Sequence, residues 1–205
     1  MIKILDNPVV KHFLTILRDK NTSSPDFRNA AKILGNCLAV EACKSLTLEN
    51  LIVETPIENT NGFKIKEQVI LFPILRAGLG LVHSFLEIIP MAIVGYHGLR
   101  RNEITQEIIE YYYSVPQMDS NSKIMILDPM IATGNSICAS MESLQMSGAE
   151  QITICSLISA PQGIEKILTE YPNTEIITCS LDRGLNEKAY IVPGLGDAGD
   201  RLNGY

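Results

Sequence analysis

Residues 123–140 read KIMILDPMIATGNSICAS, and this stretch decides the fold. An apolar strand ends at Asp128, a short polar loop follows, and a helical pattern begins after Gly134. Free backbone N–H groups and the helix dipole favour a phosphate at such a helix N-terminus. The Asp128 carboxylate beside them is placed to hold sugar hydroxyls. The pattern predicts a phosphate site, although Asp-Pro and Thr-Gly also suit an ordinary turn.

Strand and helix patterns alternate on both sides of this stretch. Apolar runs predict strands at 68–75, 91–96, 123–127, 151–158 and 174–179. Helical spacing marks 8–20, 24 to about 46, 79–89, 137–146 and 162–170, with Ser24 as cap of the second helix. Strands that are apolar on both faces and joined by helices indicate a parallel sheet. The predicted class is therefore α/β, with a central, mostly parallel sheet flanked by helices.

Three stretches lie outside this alternation. A strand is predicted near 51–54, followed by a polar turn at 58–62. Residues 103–116 include IIEYYYSV and predict a β-hairpin arm at the sheet edge. Contact of its tyrosines with another subunit and packing on its own subunit are both open. Residues 193–205 carry four glycines without periodicity, which predicts a shaped loop.

Composition limits the class of protein. A chain of 205 residues with 46% apolar content predicts one domain spanning 1–205. The net charge of −6 argues against nucleic acid as the main partner. Five cysteines without a C-x-x-C pair predict buried thiols in a reducing compartment. No signal peptide or apolar run of ~20 residues is seen, so a cytoplasmic protein without membrane contact is expected.

Ligands of open parallel sheets lie beyond the carboxyl ends of the strands. Arg76 follows such a strand, and Gly78 and Gly80 allow close backbone approach, a combination that suits an anion with several oxygens. Pairing of Arg76 with a core carboxylate is the alternative. Arg100 and Arg101 follow the next strand and fit either a solvated pair or a phosphate clamp. The three histidines have no companion nucleophile motif, and no catalytic role is expected of them.

The C-terminal segment PGLGDAGDR at 193–201 formally satisfies G-x-G-x-x-G. A dinucleotide-binding role is excluded because the motif must open a helix inside a βαβ unit, and the acidic residue expected about 20 positions later does not exist. Its glycines instead suit a closely wrapped backbone that hydrogen-bonds a small planar ligand.

Five segments together resemble the ordered signatures of uracil phosphoribosyltransferases: 73–81, 101–103, 128–136, 185–187 and 193–201. The resemblance covers the chain from about residue 70 to its end. It implies a type I phosphoribosyltransferase fold with a hood over the base site. The implied reaction joins N1 of uracil to C1′ of 5-phosphoribosyl 1-diphosphate (PRPP), giving UMP and diphosphate in pyrimidine salvage.

The same resemblance implies the site residues. Catalytic roles are implied for Asp128, Arg76 and Arg101. PRPP contacts are implied for these three and for Pro129, Met130, Ile131, Ala132, Thr133, Gly134, Asn135, Ser136 and Asp197. Uracil contacts, mainly through the backbone, are implied for Ile191, Gly196, Asp197 and Ala198. Magnesium accompanies the diphosphate without a direct protein ligand, and Asp197 reaches it through water.

Some positions depart from the family pattern and keep alternatives open. Asn135 replaces a common glycine. Of the residues other than glycine, asparagine best tolerates a positive φ, so the turn can be kept. Arg100 and the ending 202–205 also differ. A phosphoribosyltransferase for another base, or a UMP-sensing RNA-binding regulator on the same fold, are the rival functions. A homodimer or homotetramer is expected, and GTP, an effector of some relatives, is an open partner.

Overall fold

The computed structural model describes residues 1–101 and 108–205. The helices are α1 (Pro8–Arg18), α2 (Ser24–Ala42), α3 (Leu79–Ile88), α4 (Asn135–Met146), α5 (Pro161–Glu170) and α6 (Ala198–Asn203). The first seven strands are β1 (Ile2–Ile4), β2 (Leu48–Glu54), β3 (Asn59–Ile65), β4 (Gln68–Leu75), β5 (Ile93–Val94), β6 (Tyr96–Arg101) and β7 (Ile108–Ser114). The others are β8 (Ser122–Leu127), β9 (Met130–Ile131), β10 (Gln151–Ser156), β11 (Ile158–Ser159), β12 (Glu175–Thr178), β13 (Gly184–Leu185) and β14 (Ile191–Val192).

The central sheet confirms the α/β prediction. Its strand order is β1-β12-β10-β8-β4-β6-β7, and β5 pairs with β4. All of these pairings are parallel except that of β6 with β7. Crossover helices α4 and α5 return the chain from β8 to β10 and from β10 to β12. Parallel pairing aligns the carboxyl ends of β4, β8, β10 and β12 along one edge of the sheet.

Helices cover both faces of this sheet, because successive side chains of a strand point to opposite sides. On β4, Val69 and Leu71 pack into the core formed with α1, α2 and α3, which includes Phe27 and Phe85. Ile70 and Phe72 face the other core, beneath α4 and α5, with residues such as Met141. Burial on both faces explains why β4 and β8 read as continuous apolar runs.

The segment 48–65 differs from its prediction. The predicted strand near 51–54 belongs to β2, but the polar residues 59–62 lie inside β3 rather than in a turn. The turn is formed earlier, where Thr55 Oγ1 donates to the carbonyl of Glu58 at 2.8 Å. Pro56 suits the second position of such a turn. The prediction was wrong because both strands are almost wholly exposed and so lack an apolar alternation.

Both ends of α2 also differ slightly from the prediction. Its N-cap is Ser23, whose hydroxyl accepts the N–H of Asp26 at 3.3 Å, one residue before the predicted cap. The helix ends at Ala42, and a short 3₁₀ turn covers Cys43–Ser45.

The predicted arm at 103–116 is only partly described, since 102–107 lie outside the described residues. Its second half, β7, pairs antiparallel with β6. Tyr113 packs against Phe72 and His97, and its hydroxyl donates to the carbonyl of Ser143 at 3.0 Å. This part of the arm therefore folds back on its own subunit, while Tyr111 and Tyr112 stay about half exposed.

The C-terminal segment 193–205 was predicted as a loop throughout, and that prediction was wrong for its second half. Residues 198–203 form α6, capped by the Asp197 side chain, which accepts the N–H of Asp200 at 3.0 Å. A six-residue helix is too short to produce a periodicity that the sequence would reveal.

Candidate active site

The candidate site lies along the carboxyl edge of the sheet. Leu127 at the end of β8 pairs with Pro73 of β4, so the loops that follow the two strands are neighbours. A Cβ at Gly78 would lie 2.4 Å from the carbonyl oxygen of Leu127, so the loop after Arg76 is pressed against the end of β8. The glycine predicted to allow close backbone approach is therefore required by backbone packing.

The loop between β8 and α4 has the geometry expected of an anion cradle. Gly134, immediately before α4, has a φ of 81°, and a Cβ there would lie 2.9 Å from the carbonyl of Gly163. The loop encloses a cavity of about 90 Å³, lined by Asp128, Met130, Ile131, Ala132, Thr133, Gly134, Asn135, Ser136 and Ile137. The free N–H groups of the first turn of α4 border this cavity. Eight of the nine predicted loop residues thus lie together, and Pro129 is buried beneath them.

Asn135 was expected to tolerate a positive φ in this loop, but it does not adopt one. It is the first residue of α4, and the left-handed position belongs to Gly134 instead. The Asn135 side chain has a different contact: its Oδ1 accepts a hydrogen bond from Lys166 Nζ at 2.6 Å. This contact holds an ammonium group of α5 at the rim of the cradle, which the sequence did not indicate.

Asp128 is the acidic group of the cradle. Its side chain is half-buried, and Oδ1 accepts the N–H of Met130 at 3.4 Å. Burial raises the pKa of Asp128 to about 7, and the Met130 contact opposes that rise. A carboxyl group with a pKa near neutrality at the end of a strand is typical of a functional site.

The two predicted arginines are described to different extents. Arg76 directly follows β4, its side chain is exposed, and it lines a cavity of about 490 Å³ between α2, α3 and α6. The alternative pairing of Arg76 with a core carboxylate is absent from the ion pairs of the described residues. Arg101 ends β6, which runs parallel to β4, but its side chain lies outside the described part of the chain.

The predicted base-binding residues lie on one stretch from β14 to α6. Ile191 and Ala198 are buried, whereas Gly196 and Asp197 are exposed. A Cβ on Gly199 would lie 3.1 Å from Asp197 Oδ1 and 3.8 Å from the Ala77 Cβ. The start of α6 therefore adjoins the loop that carries Arg76.

A chain of backbone hydrogen bonds connects the base-binding stretch with the phosphate cradle. The N–H of Ala160 donates to the carbonyl of Ile131 at 2.8 Å, and β11 pairs with β9 of the cradle loop. The N–H of Asp182 donates to the carbonyl of Ser159 at 2.8 Å, and the N–H of the next residue, Arg183, donates to the carbonyl of Val192 at 3.0 Å. The structure thus brings the three predicted loops to one edge of the sheet.

Sequence reasoning missed three side chains that hold these loops. Arg18 and Asp182 form a salt bridge at 2.6 Å beside Gly194. Arg201 donates to the carbonyls of Leu195 and Asp19. No local pattern could reveal the Arg18 contacts, because its partners are more than 160 positions away along the chain. Arg201 ends the segment 193–201, but its bonds to Leu195 and Asp19 were not predicted.

His97 has partners that superficially resemble a hydrolase triad. Its Nδ1 lies 2.9 Å from Ser140 Oγ, and its Nε2 lies 2.8 Å from Glu110 Oε2. Both His97 and Ser140 are completely buried, so no substrate can reach the hydroxyl. Burial lowers the pKa of His97 although Glu110 acts in the opposite direction. The contact is a structural link between β6, β7 and α4.

Within residues 1–101 and 108–205, no three acidic, histidine or cysteine side chains are grouped so that they could hold a metal ion. None of the helices described is long and apolar enough to cross a bilayer. The cysteines are free thiols, of which three are buried, and burial raises the pKa of all five. Reactive cysteine chemistry is therefore not supported.

Comparison with known proteins agrees with this geometry. A family model described as uracil phosphoribosyltransferase matches residues 4–204. The uracil phosphoribosyltransferase of Fervidobacterium nodosum is 43% identical over 203 residues, covering 98% of each chain. That of Salinibacter ruber is 39% identical, covering 99% of this chain and 97% of the relative.

Solved structures show the same fold. The AQ2163 protein from Aquifex aeolicus has a TM-score of 0.93 and 37% identity, covering 98% of this chain and 97% of that one. An adenine phosphoribosyltransferase from Trypanosoma brucei has a TM-score of 0.60 at 12% identity, covering 92% of this chain and 87% of its own, a likeness of fold alone. The fold is therefore that of type I phosphoribosyltransferases. Matches over the whole chain favour uracil transfer over the two rival functions, and the chain belongs to the uracil phosphoribosyltransferase family.

Proposed function

We propose that the carboxyl edge of the sheet binds PRPP between Arg76 and the 128–136 cradle, with uracil against the 191–198 stretch. The observation that carries this proposal is the convergence of the three loops at one edge. In it, the cradle holds the 5′-phosphate through the N-terminus of α4, and Asp128 accepts hydrogen bonds from the ribose hydroxyls. Arg76 and Arg101 stabilise charge that develops on the departing diphosphate.

Uracil recognition is assigned to backbone groups of Ile191, Gly196 and Ala198. A uracil edge offers acceptor, donor and acceptor, whereas cytosine changes the donor and one acceptor. Backbone groups matched to uracil are left unpaired by cytosine, at about 1–3 kcal/mol per buried unsatisfied group. No strong general base is required if rupture of the C1′–oxygen bond precedes attack by N1.

Magnesium is proposed to enter with the diphosphate. Mg²⁺ keeps several waters and is commonly held by substrate phosphates and one or two carboxylates. Asp197 fits this role because its carboxylate is exposed beside the Arg76 loop. The ion would supply Lewis-acid stabilisation of the leaving diphosphate.

The direct experiment measures UMP formation from uracil, PRPP and Mg²⁺, with cytosine, hypoxanthine and orotate as competitors. Formation of UMP that only uracil supports is expected, and absence of product would reject the proposed site. The assay is run with and without GTP, because the cavity beside Arg76 also offers Arg28 and Lys32 to a polyphosphate. One phosphoribosyltransferase domain over 1–205 and a reducing, cytoplasmic location complete the proposal, supported by the family match and the free thiols.

Substitution of Lys166, which contacts Asn135 at the phosphate cradle, tests whether the cradle binds PRPP. Lys166→Met should raise the KM for PRPP about two- to fivefold with little change in kcat, because an exposed cation contributes up to about 1 kcal/mol. Asn135→Gly removes the acceptor that holds Lys166 and should give part of the same rise. Initial rates at varied PRPP measure the effect, with Lys11→Met at an exposed position of α1 as control. An unchanged KM in both variants would exclude Lys166 from the cradle.

A homo-oligomer is proposed, supported by the hairpin β2–β3. The two strands pair only with each other among the described strands, and Ile52, Ile57 and Phe63 are 67%, 91% and 65% exposed. An isolated two-stranded hairpin is at best marginally stable in water, so a second copy of the chain is the proposed cover.

Ile52→Glu/Phe63→Glu should therefore lower the mass measured by light scattering to that of a monomer at micromolar concentration. Met146→Glu, at an exposed apolar position on α4, is the matched control and should leave the mass unchanged. Tyr111→Ser/Tyr112→Ser tests the arm as the other predicted contact. An unchanged oligomer mass in the hairpin variant would exclude the hairpin as the interface.

A further inference from the structure

The 193–197 segment carries Gly196, one of the proposed base contacts, but has no regular secondary structure of its own. Gly194 has a φ of 66°, and a Cβ there would lie 2.2 Å from the carbonyl of Ile191. Backbone recognition of a planar base requires such a segment to keep one conformation, since a displacement of about 1 Å at a reaction site can cost a hundredfold in rate. Contacts that fix Gly194 therefore also fix the segment that carries Gly196.

A single buried carboxylate makes those contacts. The side chain of Asp182 is 2% exposed, and its Oδ2 accepts the N–H of Gly194 at 2.9 Å. Arg18 donates to both carboxylate oxygens, with Nη1 2.8 Å from Oδ2 and Nη2 2.6 Å from Oδ1. Arg18 Nη1 also donates to the carbonyl of Gly194 at 2.9 Å. Both backbone polar groups of Gly194 are thus held by one ion pair.

Ser180 completes the arrangement around Asp182. Its hydroxyl donates to Asp182 Oδ1 at 2.7 Å, and Arg18 Nη2 lies 3.0 Å from the same hydroxyl oxygen. Burial alone would raise the pKa of Asp182, but the hydrogen bonds from Arg18, Ser180 and Gly194 lower it overall. Asp182 is therefore an anion that accepts hydrogen bonds from Arg18, Ser180 and the N–H of Gly194.

The same residue connects the two halves of the site. The Asp182 N–H donates to Ser159, and β11, which contains Ser159, pairs with β9 in the phosphate cradle. Arg18 lies in the last turn of α1. These contacts fix the position of the base-binding segment relative to both the cradle and α1.

We propose that Arg18 and Asp182 are positioning residues for the base: by fixing Gly194 they set the conformation in which Gly196 and Ala198 meet uracil. The inference rests on the proposed uracil site. The Asp182 side chain is buried, and Arg18 is bonded to it and to the Gly194 carbonyl. In this proposal the ion pair therefore acts through Gly194 on base affinity and on the choice between uracil and cytosine. PRPP affinity is assigned mainly to Arg76 and the cradle, and Asp197 of the same segment reaches the diphosphate only through magnesium, so the KM for PRPP should change much less.

Steady-state kinetics of Asp182→Asn, Arg18→Met and the double variant test this role. Each single variant is expected to raise the KM for uracil about tenfold or more, leaving the KM for PRPP within about twofold. Because both side chains act through one contact, the double variant should be no worse than the poorer single variant. Lys11→Met, an exposed cation on the same helix, is the matched control.

Two milder variants replace these in the kinetic test if removal of a buried charge unfolds the protein. Arg18→Lys keeps the charge but loses the bidentate geometry, and Ser180→Ala removes one donor. Each should give a smaller rise in the KM for uracil, with the melting temperature measured alongside. Equal rises in both KM values, or multiplied effects in the double variant, would overturn the inference. If the wild-type protein forms UMP and the variants keep its uracil KM, the inference alone fails; if it forms none, the proposed function fails with it.

Discussion

Asp128→Asn is expected to lower kcat/KM for PRPP at least about a hundredfold while leaving the fold intact. The carboxylate has two acceptor oxygens for the ribose hydroxyls, whereas an amide replaces one of them by a donor. Asp128 follows β8 directly, so its position depends on a strand that is buried along its whole length. Initial rates of UMP formation measure the loss. Asp6→Asn, an exposed change on the surface, serves as control, and full activity of Asp128→Asn would remove Asp128 from the site.

The pKa of Asp128 adds a pH dependence with a defined sign. In the unfolded chain an aspartate has a pKa of about 3.9, and in the fold burial raises it to about 7. The free enzyme gains the carboxylate as pH rises through 7, so affinity for PRPP should increase from pH 6 to pH 8. Asp128→Asn lacks this group and should lose that part of the dependence.

The free energy of unfolding should change with pH in the opposite direction to the affinity for PRPP. A carboxyl group whose folded pKa is raised contributes most stability when it is protonated, and that contribution is lost as pH rises from about 4 to about 7. Asp128→Asn should therefore melt a few degrees above the wild-type protein at pH 8, as scanning calorimetry can measure. A lower melting temperature would show that the Asp128 carboxylate stabilises the fold, in contradiction to its burial.

The sheet and the phosphate cradle could be predicted because their signals are local. Strands buried on both faces read as continuous apolar runs, and residues 128–136 combine a strand end, a glycine turn and a helix start. Parallel pairing then places the residues after β4 and β8 at the same edge, so the pattern predicts that Arg76 and Asp128 belong to one site. The resemblance to a family supplied roles that the local pattern left open.

What sequence reasoning missed depends on contacts between distant segments. Arg18 and Asp182 are 164 positions apart in sequence, and neither lies in a motif. The strand β3 was read as a turn because its polar residues face solvent rather than a core. The sequence indicates a backbone role for Asn135, whereas in the structure its side chain contacts Lys166. In each case the deciding interaction is tertiary.

Arg76→Ala is expected to lower kcat/KM for PRPP by a factor of about 10² to 10³, through both KM and kcat. The exposed guanidinium follows β4 at the carboxyl edge of the sheet. In the proposed site it binds diphosphate before and during bond rupture. Arg76→Lys should recover only part of the activity, because an ammonium keeps the charge without the planar, bidentate donors. Binding of diphosphate measured by calorimetry should be lost in Arg76→Ala and retained in Asp128→Asn, which separates the two halves of the PRPP site. Lys44→Ala removes an exposed positive charge that pairs with Glu41 in the turn after α2. This turn contacts Lys123 at the start of β8, away from the carboxyl edge, so the change should affect neither quantity. Diphosphate binding that survives unchanged in Arg76→Ala would show that Arg76 does not contact the leaving group.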